Sequence, residues 1–305
     1  MDQERLRPYV GRTPRIDDPL MRAAYLRGIA VSEFYYPKGT ADYDQKAAQV
    51  LLTGETAEYL YSAFTPLSLH YVPGTRPALE RVVARVVKPE MTERERVLAV
   101  RDFCLKTVPK EYPCPLPPKT LLLNAAEEEV LKLGGGQCED RSRLIVCLCQ
   151  IAGLPARCVA VYSHFRPEEN YALRGGHAIV EIYCEGGWAF FDSSVMDFWC
   201  RRPDGRIASL WDLRQHPEWV EQQGDEFYRA RGETKERFVW YRDEYLTTRA
   251  AATITNYFVW EGWRYDWRWV RISYDPNDEG HRKGKQMRNE LRRRLLREAG
   301  VDLKE

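Results

Sequence analysis

The run LGGGQCEDRSRLIVCLCQIAGLPARCVAVYS, residues 133–163, constrains the fold more than any other part of the chain. Three consecutive glycines end whatever helix precedes them and open a flexible path. A short polar stretch follows. From Leu144 the residues are apolar on every side, which demands a buried helix, and the alternation after Pro155 reads as a strand. A fully buried helix that leads at once into a strand requires a core in which helices pack on a sheet.

The segments on either side fit that frame. RPALERVVARVV and TERERVLAVRDFCLKTV repeat apolar residues at three-and-four spacing, and Thr92 with Glu95 three residues on is a capping-box signature, so two amphipathic helices are expected. YPCPLPPKT interrupts regular structure, and LLLNAAEEEVLKLGGG reads as a short helix ending in glycine. After the polar loop SHFRPEENYALRGG come two strands, HAIVEIYC and WAFFDSS, joined at Glu185 to Gly187. ETKERFVWYRDEYLTTRAA reads as a further helix, followed by the aromatic run FVWEGWRYDWRWVRISY and the basic segment GHRKGKQMRNELRRRLLRE, where Met287, Leu291 and Leu295 form a narrow apolar stripe. The order is that of an α+β protein. Residues 1–75, with the helical patterns PLMRAAYLRGIAVSEF and DQKAAQVLLTGETAEYLYSAF, read as an accessory layer. Residues 76–205 form the core, 206–275 an extension packed on it, and 276–305 a basic helical tail.

Composition narrows the function. A chain of 305 residues with 44% hydrophobic content can bury a large core, and 46 basic against 45 acidic residues leave a net charge of +1 with no general attraction to nucleic acid or anionic membrane. Only the basic tail offers local attraction, to RNA, an acidic lipid surface or an acidic protein, and a solvated terminal helix is the favoured reading of it. No run of about eighteen uncharged apolar residues occurs, and the first twenty residues hold no signal-peptide core, so a soluble cytoplasmic protein is expected. The glycine run lacks the Lys-Ser/Thr of a phosphate loop, no C-x-x-C pair suggests zinc, and no EF-hand loop is present, so no cofactor is expected.

Among eight cysteines, Cys138 alone has a glycine-rich polar approach and a buried helix behind it. The unpaired N–H groups and dipole at a helix start stabilise a thiolate, which makes Cys138 the candidate nucleophile. Cys104, Cys147, Cys149, Cys158 and Cys184 sit in apolar surroundings as small hydrophobes, and Cys114 and Cys200 fall in loops. Of five histidines, only His177 opens a clear strand; His70 and His216 adjoin prolines, His164 lies at a loop edge and His281 in the basic tail. A two-residue Glu185-Gly186 turn sets Cys184 opposite Gly187 and Ile179 opposite Asp192. His177 and Asp192 then share a face as diagonal neighbours at roughly 7 Å, and a slip of one residue would part them. In this reading His177 takes the proton of Cys138 and Asp192 orients the imidazole. The Cys138 N–H would face the oxyanion, with a second donor that the sequence does not single out among Gln137, Tyr112 and Asn124.

GQCEDRSRL, AGLPAR, GHAIVEIY and GWAFFDSS occur in that order, with 39 residues from Cys138 to His177 and 15 from His177 to Asp192. Together they resemble the transglutaminase-like superfamily over about residues 92–200. The resemblance implies a papain-like core, with the cysteine helix packed on an antiparallel sheet that carries the histidine and the aspartate. It implies thiol chemistry on peptide or protein amide bonds through a thioester, by protease-like hydrolysis or transglutaminase-type transfer. Two departures stand out: the zinc-binding cysteine pairs of peptide N-glycanases are missing, and Ser193 follows Asp192 where proline is common. An arylamine N-acetyltransferase-like enzyme and a non-catalytic binding module with this fold are the alternatives. Arg157 reads either as a structural arginine or as a substrate contact, and Trp188 as a core residue. The tryptophans at 260, 263, 267 and 269 read as core packing, with a stacking surface as the other possibility.

Overall fold

The computed structural model describes residues 49–61, 67, 69, 71–108, 121–123, 127–134, 138–162, 176–192, 199–230, 232–248, 250–255 and 272–274. Its centre is an antiparallel meander of β3 (Ala156–Tyr162), β4 (Gly176–Cys184) and β5 (Gly187–Phe191). β6 (Ala251–Thr255) and then β1 (Gln49–Leu51) extend the sheet beyond β3, in the order β1-β6-β3-β4-β5. The β4–β5 turn has φ of 54° at Glu185 and 75° at Gly186, the twisted two-residue geometry that suits a hairpin. It sets Cys184 opposite Gly187 and Val180 opposite Phe191, which is the register expected from the sequence.

Alternation along these strands splits the side chains between two cores. Val180, Ile182 and Cys184 of β4, with Ala189 and Phe191 of β5, face one side. There they meet α2 (Pro77–Val86), α3 (Glu93–Thr107), α4 (Glu127–Leu133) and α5 (Cys138–Ile151). The expected capping box starts α3: Thr92 accepts from the Glu95 N–H while the Glu95 carboxylate accepts from the Thr92 N–H. Its buried residues Val97, Val100 and Cys104 form one stripe, whereas α5 is buried on every side from Arg141 to Gln150. α4 ends at Gly134, whose φ of 67° is the left-handed conformation that glycine adopts freely at a helix end.

Val159, Val161, Ile179 and Phe190 face the other side. That side is covered by α1 (Gly54–Tyr61), α6 (Leu210–Gln215), α7 (Glu218–Gln222), α8 (Asp225–Arg229) and α9 (Lys235–Tyr241), which runs on into a π-helical turn, Arg242–Leu246. The sheet therefore lies between two helical layers.

Several local readings are corrected. Gln49–Leu51, expected as helix, is β1, paired with β6. Leu121–Leu123, also expected as helix, is β2, paired with β7 (Ile272–Tyr274). Both are three-residue segments, too short for periodicity to separate strand from helix. The helix expected over 233–251 stops at Leu246, and its last alanines open β6, where Thr253, Ile254 and Thr255 favour a strand. α6, α7 and α8 were not anticipated, because five or six residues are less than two turns of pattern. PLMRAAYLRGIAVSEF, YPCPLPPKT, SHFRPEENYALRGG, most of the aromatic run and the basic tail lie outside the described residues, as do Cys114, His70, His164 and His281.

Candidate functional site

Cys138 is the first residue of α5 and is half-buried. The 14-residue helix behind it directs its unpaired N–H groups and the positive end of its dipole toward that residue. One turn further on, the Ser142 hydroxyl donates to the Ala178 carbonyl at 3.0 Å. That bond holds the start of α5 against the start of β4, where His177 sits. Helix dipole and strand residue are brought together by packing at the end of the sheet.

His177 and Asp192 are both buried, at 6% and 1% exposure. The hairpin register puts them on one face, and His177 Nε2 lies 2.6 Å from Asp192 Oδ2. A buried carboxylate at that distance orients the imidazole by accepting a hydrogen bond from Nε2–H. Nδ1 is then the nitrogen left for the Cys138 thiol, which lies near enough to contribute to the raised pKa of His177. Burial by itself would lower the imidazole pKa; the charge and hydrogen bond of Asp192, together with Cys138, outweigh it and raise His177 to about 10. The ring is held as an imidazolium through the neutral range.

Two tyrosines complete the surroundings. The Tyr241 hydroxyl, at the end of α9, donates to the same Asp192 Oδ2 at 2.5 Å, and its ring stands edge-on to His177 at 6.2 Å. Tyr245, one turn further along the π-helical segment, lies 5.5 Å from the imidazole and 5.3 Å from Tyr241. Burial, and then the Asp192 charge, keep the Tyr241 phenol well above its ordinary pKa, so it acts as a neutral donor. Neither tyrosine was anticipated. In sequence they are aromatic positions of a helix, indistinguishable from core residues.

Gln137, Tyr112 and Asn124, the residues considered as a second oxyanion donor, lie outside the described residues. Arg157 is described, and its alternatives resolve to the structural one. It is 3% exposed, with Nε and Nη2 donating to Glu181 Oε2 at 2.9 and 2.7 Å, Nη1 donating to the Leu60 carbonyl at 2.9 Å, and its guanidinium 3.7 Å from the Trp188 ring centroid. Trp188 is a core residue, as expected.

Four other described thiols are poor nucleophiles for a physical reason. Burial pushes Cys104 and Cys184 up to about 12 and raises Cys147 and Cys149 further. Cys200, placed by the sequence in a loop, is fully buried beside the short bridge between Arg201 and Ile207. His216 is exposed, stacked on Trp219 at 4.4 Å and paired with Glu218 at 3.2 Å. Among the described residues, no group of three or more His, Cys, Asp or Glu is placed to hold a metal ion, and no helix is long and apolar enough to cross a membrane.

Residues 80–193 match the family model of the transglutaminase-like superfamily. No match was found among curated proteins. Two solved structures are similar over limited spans. A candidate protease from Parabacteroides distasonis is 19% identical over 38% of this chain and 23% of its own, with a TM-score of 0.29. A candidate cysteine protease from Cytophaga hutchinsonii is 22% identical over 47% of this chain and 43% of its own, with a TM-score of 0.31. The chain thus spans less than half the length of either structure.

Proposed function

From residues 80–193 carrying a transglutaminase-like core, we propose that the protein is a thiol-dependent amidase or acyltransferase acting on peptide or protein amide bonds, with Cys138 as nucleophile, His177 as base and acid, and Asp192 as the group that orients the histidine. One observation carries the reading: a thiol at a helix start beside a buried histidine whose Nε2 lies 2.6 Å from a buried aspartate. An imidazolium held beside a sulfur is the arrangement that favours the thiolate.

The thiolate attacks the amide carbonyl carbon, and the carbonyl electron pair moves onto oxygen. The N–H of Cys138, at the positive end of α5, stabilises that oxyanion. When the tetrahedral intermediate collapses, the C–N bond breaks and the leaving amine takes the proton held by His177. The product is a thioester on Cys138. A second nucleophile, water for hydrolysis or an amine for transfer, gives up its proton to the now neutral His177, attacks the thioester and releases the thiolate. Asp192 stabilises the imidazolium at each stage.

The test is labelling with limiting iodoacetamide near neutral pH, read by intact mass and peptide mapping, on wild type and His177→Ala. Adduct confined to Cys138, formed at least tenfold more slowly without His177, is the expected result. Slow, equal modification of several cysteines in both proteins would remove the enzymatic reading and leave a binding module.

A further inference from the structure

Asp192 does more in this structure than face a histidine. The same oxygen, Oδ2, receives the His177 ring at 2.6 Å and the Tyr241 hydroxyl at 2.5 Å. Tyr241 is fully buried and comes from α9, outside the matched residues 80–193. Resting on the function proposed above, we infer that Tyr241 is a positioning residue that keeps Asp192 ionised and so leaves the shared proton on His177.

The physical case starts from where the proton between a buried aspartate and a buried histidine can sit. It rests either on the imidazole, leaving an ion pair, or on the carboxylate, leaving two neutral groups. Away from water the neutral arrangement gains, because burial penalises both charges. A second hydrogen bond to the carboxylate favours the charged form of the aspartate and tips the balance back. Tyr241 is suited to this because its phenol, raised well above its ordinary pKa, does not itself ionise in the working range, and because its fully buried ring stands edge-on to His177. Among the described residues, the titratable groups that face the pair include Cys138 from α5, Tyr241 from α9 and Tyr245 from the π-helical turn. None of these supplies a positive charge that could replace the phenol. The π-helical turn aids the arrangement: it begins right after Tyr241 and lets Tyr245 pack on both Tyr241 and His177.

A lost phenol has a direction. Without it the shared proton moves toward Asp192, the imidazole becomes neutral, and Cys138, without its counter-ion, forms the thiolate only at higher pH. In Tyr241→Phe, which keeps the ring and removes only the donor, the acid limb of the Cys138 alkylation rate should move up by about one pH unit. At a pH on that limb this is about a tenfold slower reaction. A Tyr241 that served packing alone would lower the unfolding midpoint and leave the limb where it is, so an unmoved limb in folded Tyr241→Phe overturns the inference. Should that variant not fold, 3-fluorotyrosine placed at position 241, a stronger donor of nearly the same shape, must move the limb to lower pH, and an unmoved limb overturns the inference there. A wild type that shows no selective Cys138 alkylation, by contrast, rejects the proposed function itself.

Discussion

At the residue scale, the His177–Asp192 pair links stability to pH in a direction that can be worked out. The folded imidazole keeps its proton up to about pH 10, whereas in the unfolded chain it loses it near the ordinary value of about 6.5. A histidine whose pKa is raised by folding contributes stability that is complete below about 6.5, declines as the pH rises, and is gone above 10. Asp192→Ala removes the partner and leaves a buried imidazole uncompensated. The variant should be less stable than wild type by about 3 kcal/mol at pH 6, with the gap closing as the pH rises through 10. Urea unfolding of both proteins at pH 6, 8 and 10.5 measures it, and a gap constant with pH would show that the lost stability is packing rather than charge.

At the element scale, the parts that place the site are helix ends and one hairpin. Cys138 has its position because Gly134 ends α4 in the left-handed conformation and α5 restarts at the cysteine. α3 packs on α5 behind Cys138, and its start rests on the Thr92–Glu95 capping box. Thr92→Ala should cost about 1 kcal/mol of global stability, read as a lower urea midpoint at unchanged slope. Alkylation of Cys138 should be unaffected, because α3 starts beside the β4–β5 turn, where Glu93 accepts from the Glu185 N–H at 2.7 Å, at the opposite end of β4 from His177. A change in labelling rate would mean that the helix behind the nucleophile shifts when its cap is lost.

At the scale of the whole molecule, one buried carboxylate ties together elements that are distant in sequence. Glu181 of β4 accepts from Arg157 of β3, from the Tyr61 hydroxyl of α1 at 3.0 Å, and from the Leu210 N–H of α6 at 2.9 Å. Arg157 in turn reaches the last turn of α1 through the Leu60 carbonyl. Removing one partner of such a pair leaves an uncompensated charge inside the protein, so Arg157→Met or Glu181→Met alone should lose about 3–5 kcal/mol. The double variant should recover part of that loss, because two apolar side chains leave no unpaired charge. The measurement is a double-mutant cycle by urea unfolding. Strict additivity would mean that the pair does not act as a unit.

Much of the core and the close approach of His177 to Asp192 were legible in the chain because they depend on local rules. A glycine run and an apolar stretch dictate where α5 begins and why it is buried; Thr92 and Glu95 announce the start of α3; Glu185-Gly186 sets a hairpin register, and the period of two along its strands then puts His177 and Asp192 on one face. What the sequence could not reveal are relations between segments far apart. Three-residue runs such as Gln49–Leu51 and Leu121–Leu123 become strands only because β6 and β7, about 150–200 residues later, pair with them. Arg157 is a structural cation only because Glu181, Leu60 and Trp188 converge on it. Tyr241 meets Asp192 across 49 residues of chain, through α9 packing on the sheet, and no periodicity carries that information. Local propensity and alternation are written in neighbouring residues, so the Cys138 helix and the His177 strand could be read directly; the meeting of Tyr241 with the carboxylate was decided by how the helical layer settles on the sheet, which is set by packing over the whole chain.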